Sequence, residues 1–304
     1  MDEAALAPLG IQFPFLGLGL RAADIVLMSS LLFFTVLTVL FGAGGQNAGI
    51  RVLENGAVGL VYLAAVHFHQ RVSGRRLKFW IRLLSFQMMF AYVFPLVTPF
   101  QLILSKHWND PAVLSLEQAL FGVQPTVWIQ KFFSPGLTEW LMAAYVAYLP
   151  LYPILGGILY FKRGELHLED LVFKLAVANL ICDLGFILFP VAGPFYWIPE
   201  RFTVPLSGHV FTWMGEYIRA HFQAIGSSLP SPHCTVATIM LLTTARAHRP
   251  TFCVIAPIIV SVYVSAFYAR YHYLSDVLAG IVLGAALFFL LPRLLKARSG
   301  RVPC

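Results

Sequence analysis

Two short stretches of this sequence combine residue types that can move a proton or attack an electrophile. The first is Gly226-Ser227-Ser228-Leu229-Pro230-Ser231-Pro232-His233, and the second is His272-Tyr273-Leu274-Ser275-Asp276-Val277 with Gly280 close behind. His272 and Asp276 are four residues apart, so on a helix they share one face. The carboxylate then accepts from one imidazole nitrogen, fixes the tautomer and leaves the other nitrogen as nucleophile or base. A helix start decorated by an acid that suits the dipole, with an interfacial His beside it, gives the same spacing. In the first stretch Ser231 is a natural N-cap and Pro232 suits the first helical position. His233 would then stand at a helix start whose free N–H groups attract an anion such as phosphate. A Pro-rich helix entry with an incidental His reads the same way.

The elements that must position these residues are membrane helices. Of the 304 residues 59% are hydrophobic and only 12% are charged, with a mean hydropathy of +0.76. A water-soluble fold would have too little polar surface to cover itself. Eight apolar segments appear, near Asp24 to Ala43, Val52 to His69, Phe79 to Phe100, Leu137 to Tyr160, Asp170 to Pro190, His233 to Ala247, Thr251 to Tyr268 and Leu274 to Leu291. Their length matches a hydrocarbon core of about 30 Å and exceeds what a barrel strand needs. The expected fold is therefore an all-α polytopic bundle of about eight spans, one integral-membrane domain over residues 1–304.

Basic residues gather in four connections: Arg71, Arg75, Arg76, Lys78 and Arg82; Lys162 and Arg163; Arg246 and Arg249; and Arg293, Lys296, Arg298 and Arg301. With eight crossings all four fall on one side, which the positive-inside rule makes cytoplasmic, and both termini lie there too. The net charge of +7 is thus explained by orientation and anionic lipid, and no basic stripe points to nucleic acid. Two long connections, Gln101 to Gly136 and Val191 to Pro232, face the other side and are rich in Trp, Phe, Pro and Gly. They are expected to lie along the interface. Cys182, Cys234, Cys253 and Cys304 have no paired spacing and read as reduced packing residues. Met1 to Ala23 lacks a basic region followed by a cleavage site, so no cleaved leader is expected.

Together the two stretches resemble the type-2 phosphatidic acid phosphatase superfamily. Pro230-Ser231-Pro232-His233 matches its Pro-Ser-x-His element, and His272 to Asp276 its His-x-x-x-Asp element two helices later. The His-Tyr-x-x-Asp form, with Phe189-Pro190-Val191-Ala192-Gly193-Pro194 and the stretch from Gln124-Pro125 to Tyr148, is most similar to the branch of inositol phosphorylceramide synthase and sphingomyelin synthase. The resemblance covers roughly residues 115–292. It implies a phosphatase-like catalytic core with interfacial helices and a two-step mechanism without metal or cofactor. His272 would attack phosphorus, Asp276 would orient and stabilise its imidazolium, and His233 would protonate the leaving oxygen and then activate the acceptor. Bound phosphate would be held by the helix start at Ser231, the Ser231 hydroxyl and Arg270.

The chain departs from the family pattern at the phosphate clamp. Gly193-Pro194 stands in the region of the usual Lys and Arg-Pro, Ser265-Ala266 stands where Ser-Arg precedes the nucleophile, and Pro232 removes one backbone donor. One remaining cation suits a singly charged phosphodiester better than a monoester dianion, which favours transfer of a phospho head group to a lipid alcohol over hydrolysis. Lipids, and water as an alternative acceptor, are the implied partners; the oligomeric state is left open. Arg201 and Arg219 in the outer connection are the next cations to consider. Asp183, about two turns below the outer face, either lines the site or is an acid hydrogen-bonded for packing. Glu139, Asn179 and Lys174 read as membrane-end or helix-contact residues, and His67 and His69 as interfacial. The rival readings are a lipid phosphatase acting on a phosphatidate or polyprenyl phosphate, and a lipid transporter with a His and Asp proton relay. No inverted repeat supports the transporter.

Overall fold

A computed structural model describes residues 13–15, 18–42, 45, 47–222 and 225–299; the side chains of 13–15, 222 and 294–299 are not described. The expected roles of Arg301 and Cys304, and of the Lys296 and Arg298 side chains, fall outside this description. The long helices are α1 (Ala22–Phe41), α2 (Ala48–Arg71), α3 (Arg75–Val93), α4 (Asp110–Phe121), α5 (Pro135–Arg163), α6 (Glu165–Leu188), α7 (Val210–Phe222), α8 (Pro232–Ala247), α9 (Arg249–Tyr268) and α10 (Leu274–Ser299). Two three-residue strands, Phe13–Phe15 and Leu18–Leu20, pair antiparallel ahead of α1, a small addition to the all-α expectation.

Seven helices among the described residues are long and apolar enough to cross a membrane: α1, α2, α3 with the 3-10 stretch that continues it to Phe100, α5, α6, α9 and α10. The eighth expected span is α8, whose 16 residues reach roughly 24 Å at 1.5 Å per residue. It is also central: α6, α9 and α10 pack around it, and most of its residues are buried. The closest approach is to α10. A Cβ on Gly280 would lie 2.5 Å from the Ser231 carbonyl oxygen, and one on Gly284 would lie 2.4 Å from that of Thr235. Only glycine lets the two backbones meet there, the small-residue contact that lets membrane helices approach.

Local chemistry sets the ends. Ser134 caps α5 by accepting from the Leu137 N–H at 3.4 Å, with Pro135 at the first helical position. Lys162 and Arg163 close the same helix before Gly164, whose φ of 102° makes a one-residue link to α6. Pro95 and Pro99 turn the end of α3 into a 3-10 stretch, Phe94–Phe100. At the end carrying the basic connections, Arg75 donates to the Tyr160 and Phe161 carbonyls at 3.2 Å. Arg82 leaves its expected surface cluster and is buried against Asp24 and Glu169. His69, expected at the interface, is buried beside the same group, with its Nε2 3.8 Å from Glu165, whereas His67 is exposed.

The two long connections both wrap the opposite end. The first holds α4 and the turns of Pro125–Phe132; the second holds a turn at Pro194–Trp197 and α7. α7 is anchored from α5, because Glu139 accepts from the backbone N–H of His209, Phe211 and Thr212 and from the Thr212 hydroxyl. The carboxylate thereby supplies the cap that the sequence at the start of α7 lacks. Trp128, Phe132 and Trp213 on these connections stay exposed, as interfacial aromatic residues do.

Candidate active site

Ser231 caps α8 as its sequence suggests, accepting from the Cys234 N–H at 3.4 Å, and Pro232 and His233 follow in the first turn. The α10 entry differs from expectation. His272 does not lie on the helix with Asp276; it sits in the turn between α9 and α10, and the helix begins at Leu274. Asp276, in the first turn, accepts from the Tyr273 N–H at 2.9 Å, so part of its work is to cap the helix. The Ser231 N–H donates to the Asp276 carbonyl at 3.0 Å and fastens the two motifs together.

The orienting contact is also indirect. Asp276 Oδ2 stands 3.8 Å from His272 Nδ1, too far for a hydrogen bond. The bridge is Ser228: its hydroxyl donates to Asp276 Oδ2 at 2.6 Å, and its carbonyl lies 3.0 Å from His272 Nδ1. A carbonyl can only accept, so Nδ1 carries the proton and Nε2 keeps the lone pair. His233 stands across from it, with ring centroids 5.7 Å apart and planes tilted by 60°. Its Nε2 meets the Tyr145 hydroxyl at 3.1 Å. Its buried Nδ1 has no hydrogen-bond partner among the described residues, and neither has Asp276 Oδ1.

Both rings line one cavity of about 560 Å³. Tyr145, Arg219, His221, Ser227 and the two His residues give it polar lining, and residues of α3, the 3-10 stretch and α5, apolar except for Thr98, line it as well. The two sequence motifs therefore converge, but other predicted residues lie elsewhere. Arg270 does not line the cavity. At a φ of 67° its guanidinium is thrown outward, donates to the Val204 carbonyl and lies over the Phe202 and Phe133 rings at 4.6 and 5.4 Å. Burial lowers its pKa from the ordinary value. The arginine that lines the cavity is Arg219, paired with Glu216 and laid over Phe195 at 3.7 Å. Arg201 is exposed near Glu200, away from the cavity. The Ser231 hydroxyl is used in capping. Asp183 is fully buried in α6, accepts from Asn179 at 3.0 Å and does not line the cavity. Lys174 pairs with Asp170 inside the bundle.

Three residues around the motifs escaped the sequence reading. Ser228 is the bridge just described. Asp110 accepts from the Ala192 and Gly193 N–H groups at 2.8 and 3.0 Å and from the Tyr273 hydroxyl at 2.9 Å. Glu117 accepts from the N–H and hydroxyl of Ser275 at 2.9 and 3.1 Å. Burial pushes both carboxyls above the usual carboxylate range, against the pull of those donors. The signal for them was present: two acids seven residues apart on α4 share one helix face, and an interfacial helix burying both faces something polar.

A profile of the PAP2 superfamily matches residues 111–290, more than half of the chain, so this protein belongs to the PAP2 superfamily. It is an integral-membrane protein of the lipid phosphatase and phosphotransferase kind. Among solved structures it is similar to a transmembrane PAP2 type phosphatidylglycerolphosphate phosphatase from Bacillus subtilis, at 18% identity and a TM-score of 0.36, over 73% of this chain and 96% of that one. No curated protein matches the chain.

Proposed function

We propose that this protein is a lipid phosphotransferase that carries a phospho head group on His272 and delivers it to a lipid alcohol, in the manner of the inositol phosphorylceramide and sphingomyelin synthase branch. The observation that carries the reading is the pair His272 and His233 facing one cavity, with the tautomer of His272 set by Ser228 and Ser228 tied to Asp276. In the first step the His272 Nε2 lone pair attacks phosphorus, the bond from phosphorus to the leaving oxygen breaks, and His233 gives that oxygen a proton. In the second, His233 takes the proton of the acceptor hydroxyl, the acceptor oxygen bonds to phosphorus, and the phosphorus–nitrogen bond breaks. The imidazolium that forms is stabilised by Asp276 through the Ser228 hydroxyl.

Transfer is favoured over hydrolysis by the charge at the cavity. Arg219 is the one Lys or Arg lining it among the described residues, and Glu216 offsets part of its charge. One cation matches the single charge of a phosphodiester donor. The proposed reaction uses no metal, since His272 serves as the nucleophile and His233 as acid and then base, which leaves no step that needs a Lewis acid. The site faces the non-cytoplasmic side with both termini cytoplasmic, and cysteine labelling at positions 75 and 207 from opposite sides checks this. The test of function is mass spectrometry of products from purified protein given phospholipids and lipid phosphates, with and without ceramide or diacylglycerol, in excess chelator. Head-group transfer to the alcohol is expected. Free phosphate from monoesters with no transfer would make the protein a phosphatase, and loss of all activity in chelator restored by one divalent ion would overturn the metal-free step.

A further inference from the structure

The cavity has an apolar end that the two catalytic motifs do not build. Ala91 near the end of α3, then Phe94, Pro95 and Thr98, form one wall, and Leu149 of α5 faces them. Ala91, Pro95 and Leu149 are also exposed at the surface, Leu149 by 51%. They therefore frame an opening in the side of the bundle, between α3 and α5. Leu149 is the midpoint of α5, about 20 Å along the helix from either end. That depth is well inside a hydrocarbon core of about 30 Å. The opening thus faces lipid chains and not water.

The wall is held in place from both directions. Behind it, Tyr92 donates to Asn55 at 2.8 Å and Asn55 donates to Thr35 at 2.9 Å, which fastens α3 to α2 and α1. Beyond it, Gln101 accepts from the Ser227 N–H at 2.7 Å, next to the Ser228 bridge. The wall and the histidines are thus parts of one frame. The wall also lies wholly outside residues 111–290, the region that matches the superfamily.

We propose that the opening framed by Ala91, Pro95 and Leu149 admits the hydrocarbon chain of the lipid substrate from the bilayer, and that the α3 wall selects which chains reach the histidines. The occupant is an acyl or similar alkyl chain, because Ala91, Pro95 and Leu149, which frame the portal, carry no polar side chain, and Thr98 is the one polar side chain of the α3 wall. The small side chain of Ala91 is what keeps the portal open. The selection rests on the phosphotransfer reading for its kinetic consequence, but occupancy of the portal does not.

Two measurements on full-length protein in nanodiscs decide it. A phosphatidic acid and a phosphatidylcholine, each with a diazirine midway along one acyl chain, are photolysed with wild-type protein and with His272→Ala. Crosslinks are expected at Phe94 and Thr98 in both, and Ala91→Trp should remove them. Separately, Ala91→Trp and Thr98→Trp should lower the ratio of kcat/KM for a long-chain donor over a short-chain donor with the same head group by about tenfold or more, because the added ring obstructs the wall. Crosslinks confined to outward residues of α1 and α2, such as Leu40 and Leu60, or crosslinks at Thr98 that survive Ala91→Trp, would overturn the portal. Failure of the wild-type protein to turn over any phospholipid would count against the phosphotransfer reading, and crosslinking would still judge the portal.

Discussion

Charged groups are buried at both ends of this bundle, and the two sites are built in opposite ways. At the end carrying the basic connections, Arg82 donates twice to Glu169 at 2.7 Å and also pairs with Asp24, which accepts from Tyr62 at 2.6 Å. Arg21 adds contacts to Glu169 and Glu165 at 2.8 and 2.6 Å. The cavity there is about 10 Å³, room for little more than one water. At the other end the imidazoles and the Asp276 carboxylate meet neutral hydroxyls and backbone groups, His233 Nδ1 and Asp276 Oδ1 lack hydrogen-bond partners among the described residues, and the cavity is about 560 Å³. Opposite charges that neutralise each other make a clamp between α1, α3 and α6. Groups denied a counter-ion beside open space keep their reactivity for a ligand.

The sharpest way to break this contrast is His272→Ala. In the proposed mechanism the covalent step rests on His272 alone, so turnover should fall on the order of 10⁴-fold or more while the helical protein still folds. Retention of most activity by the purified variant would remove His272 from the centre of the site. Next comes the bridge. Asp276→Asn should lose on the order of 10²- to 10⁴-fold, as orienting carboxylates do. Ser228→Ala should lose less, because the Ser228 carbonyl still accepts from Nδ1 when the hydroxyl is gone. Equal losses in the two variants would mean that the hydroxyl carries the whole effect of Asp276; a loss below a few-fold for Asp276→Asn would leave it as a cap only.

Arg82→Ala tests the other half of the contrast. It leaves Asp24 buried without a cation and Glu169 with Arg21 alone, and breaking such a pair costs about 3–5 kcal/mol. The variant should unfold at lower temperature in detergent, yet its folded fraction should keep kcat within about twofold, since Arg82 lies at the far end of the spans from the histidines. A kcat collapse at full thermal stability would show that the two ends are coupled.

The expectations from sequence and the structure part company where side-chain direction decides. Hydropathy located the membrane helices, α8 among them, because each must satisfy its own backbone within one continuous stretch. The motifs around His233 and His272 were legible because their spacing is local. Asp110 and Glu117 were legible only as two acids on one helix face, since their partners lie more than eighty residues away for Asp110 and 158 for Glu117. Ser228 was hidden among neighbouring serines, any of which has a hydroxyl. Arg270 looked like the phosphate cation because it lies two residues from His272, but a left-handed φ sends its side chain the other way.

That last difference gives the smallest effect and the most specific one. Arg219 lines the cavity and Arg270 does not, so Arg219→Gln should raise KM for a phosphodiester donor while Arg270→Gln should change it little. A charge-assisted hydrogen bond contributes about 1.5–3 kcal/mol, and the Glu216 partner of Arg219 takes part of that, so an increase of about tenfold is expected. The effect belongs in KM, because a cation on a non-bridging oxygen holds the donor in ground state and transition state alike. Arg270→Gln instead loosens the contacts to Val204, Phe202 and Phe133, which should appear as a lower melting temperature. If the KM effect falls on Arg270→Gln and spares Arg219→Gln, the outward rotation of Arg270 does not persist when donor is bound, and the residue beside His272 holds the phosphate after all.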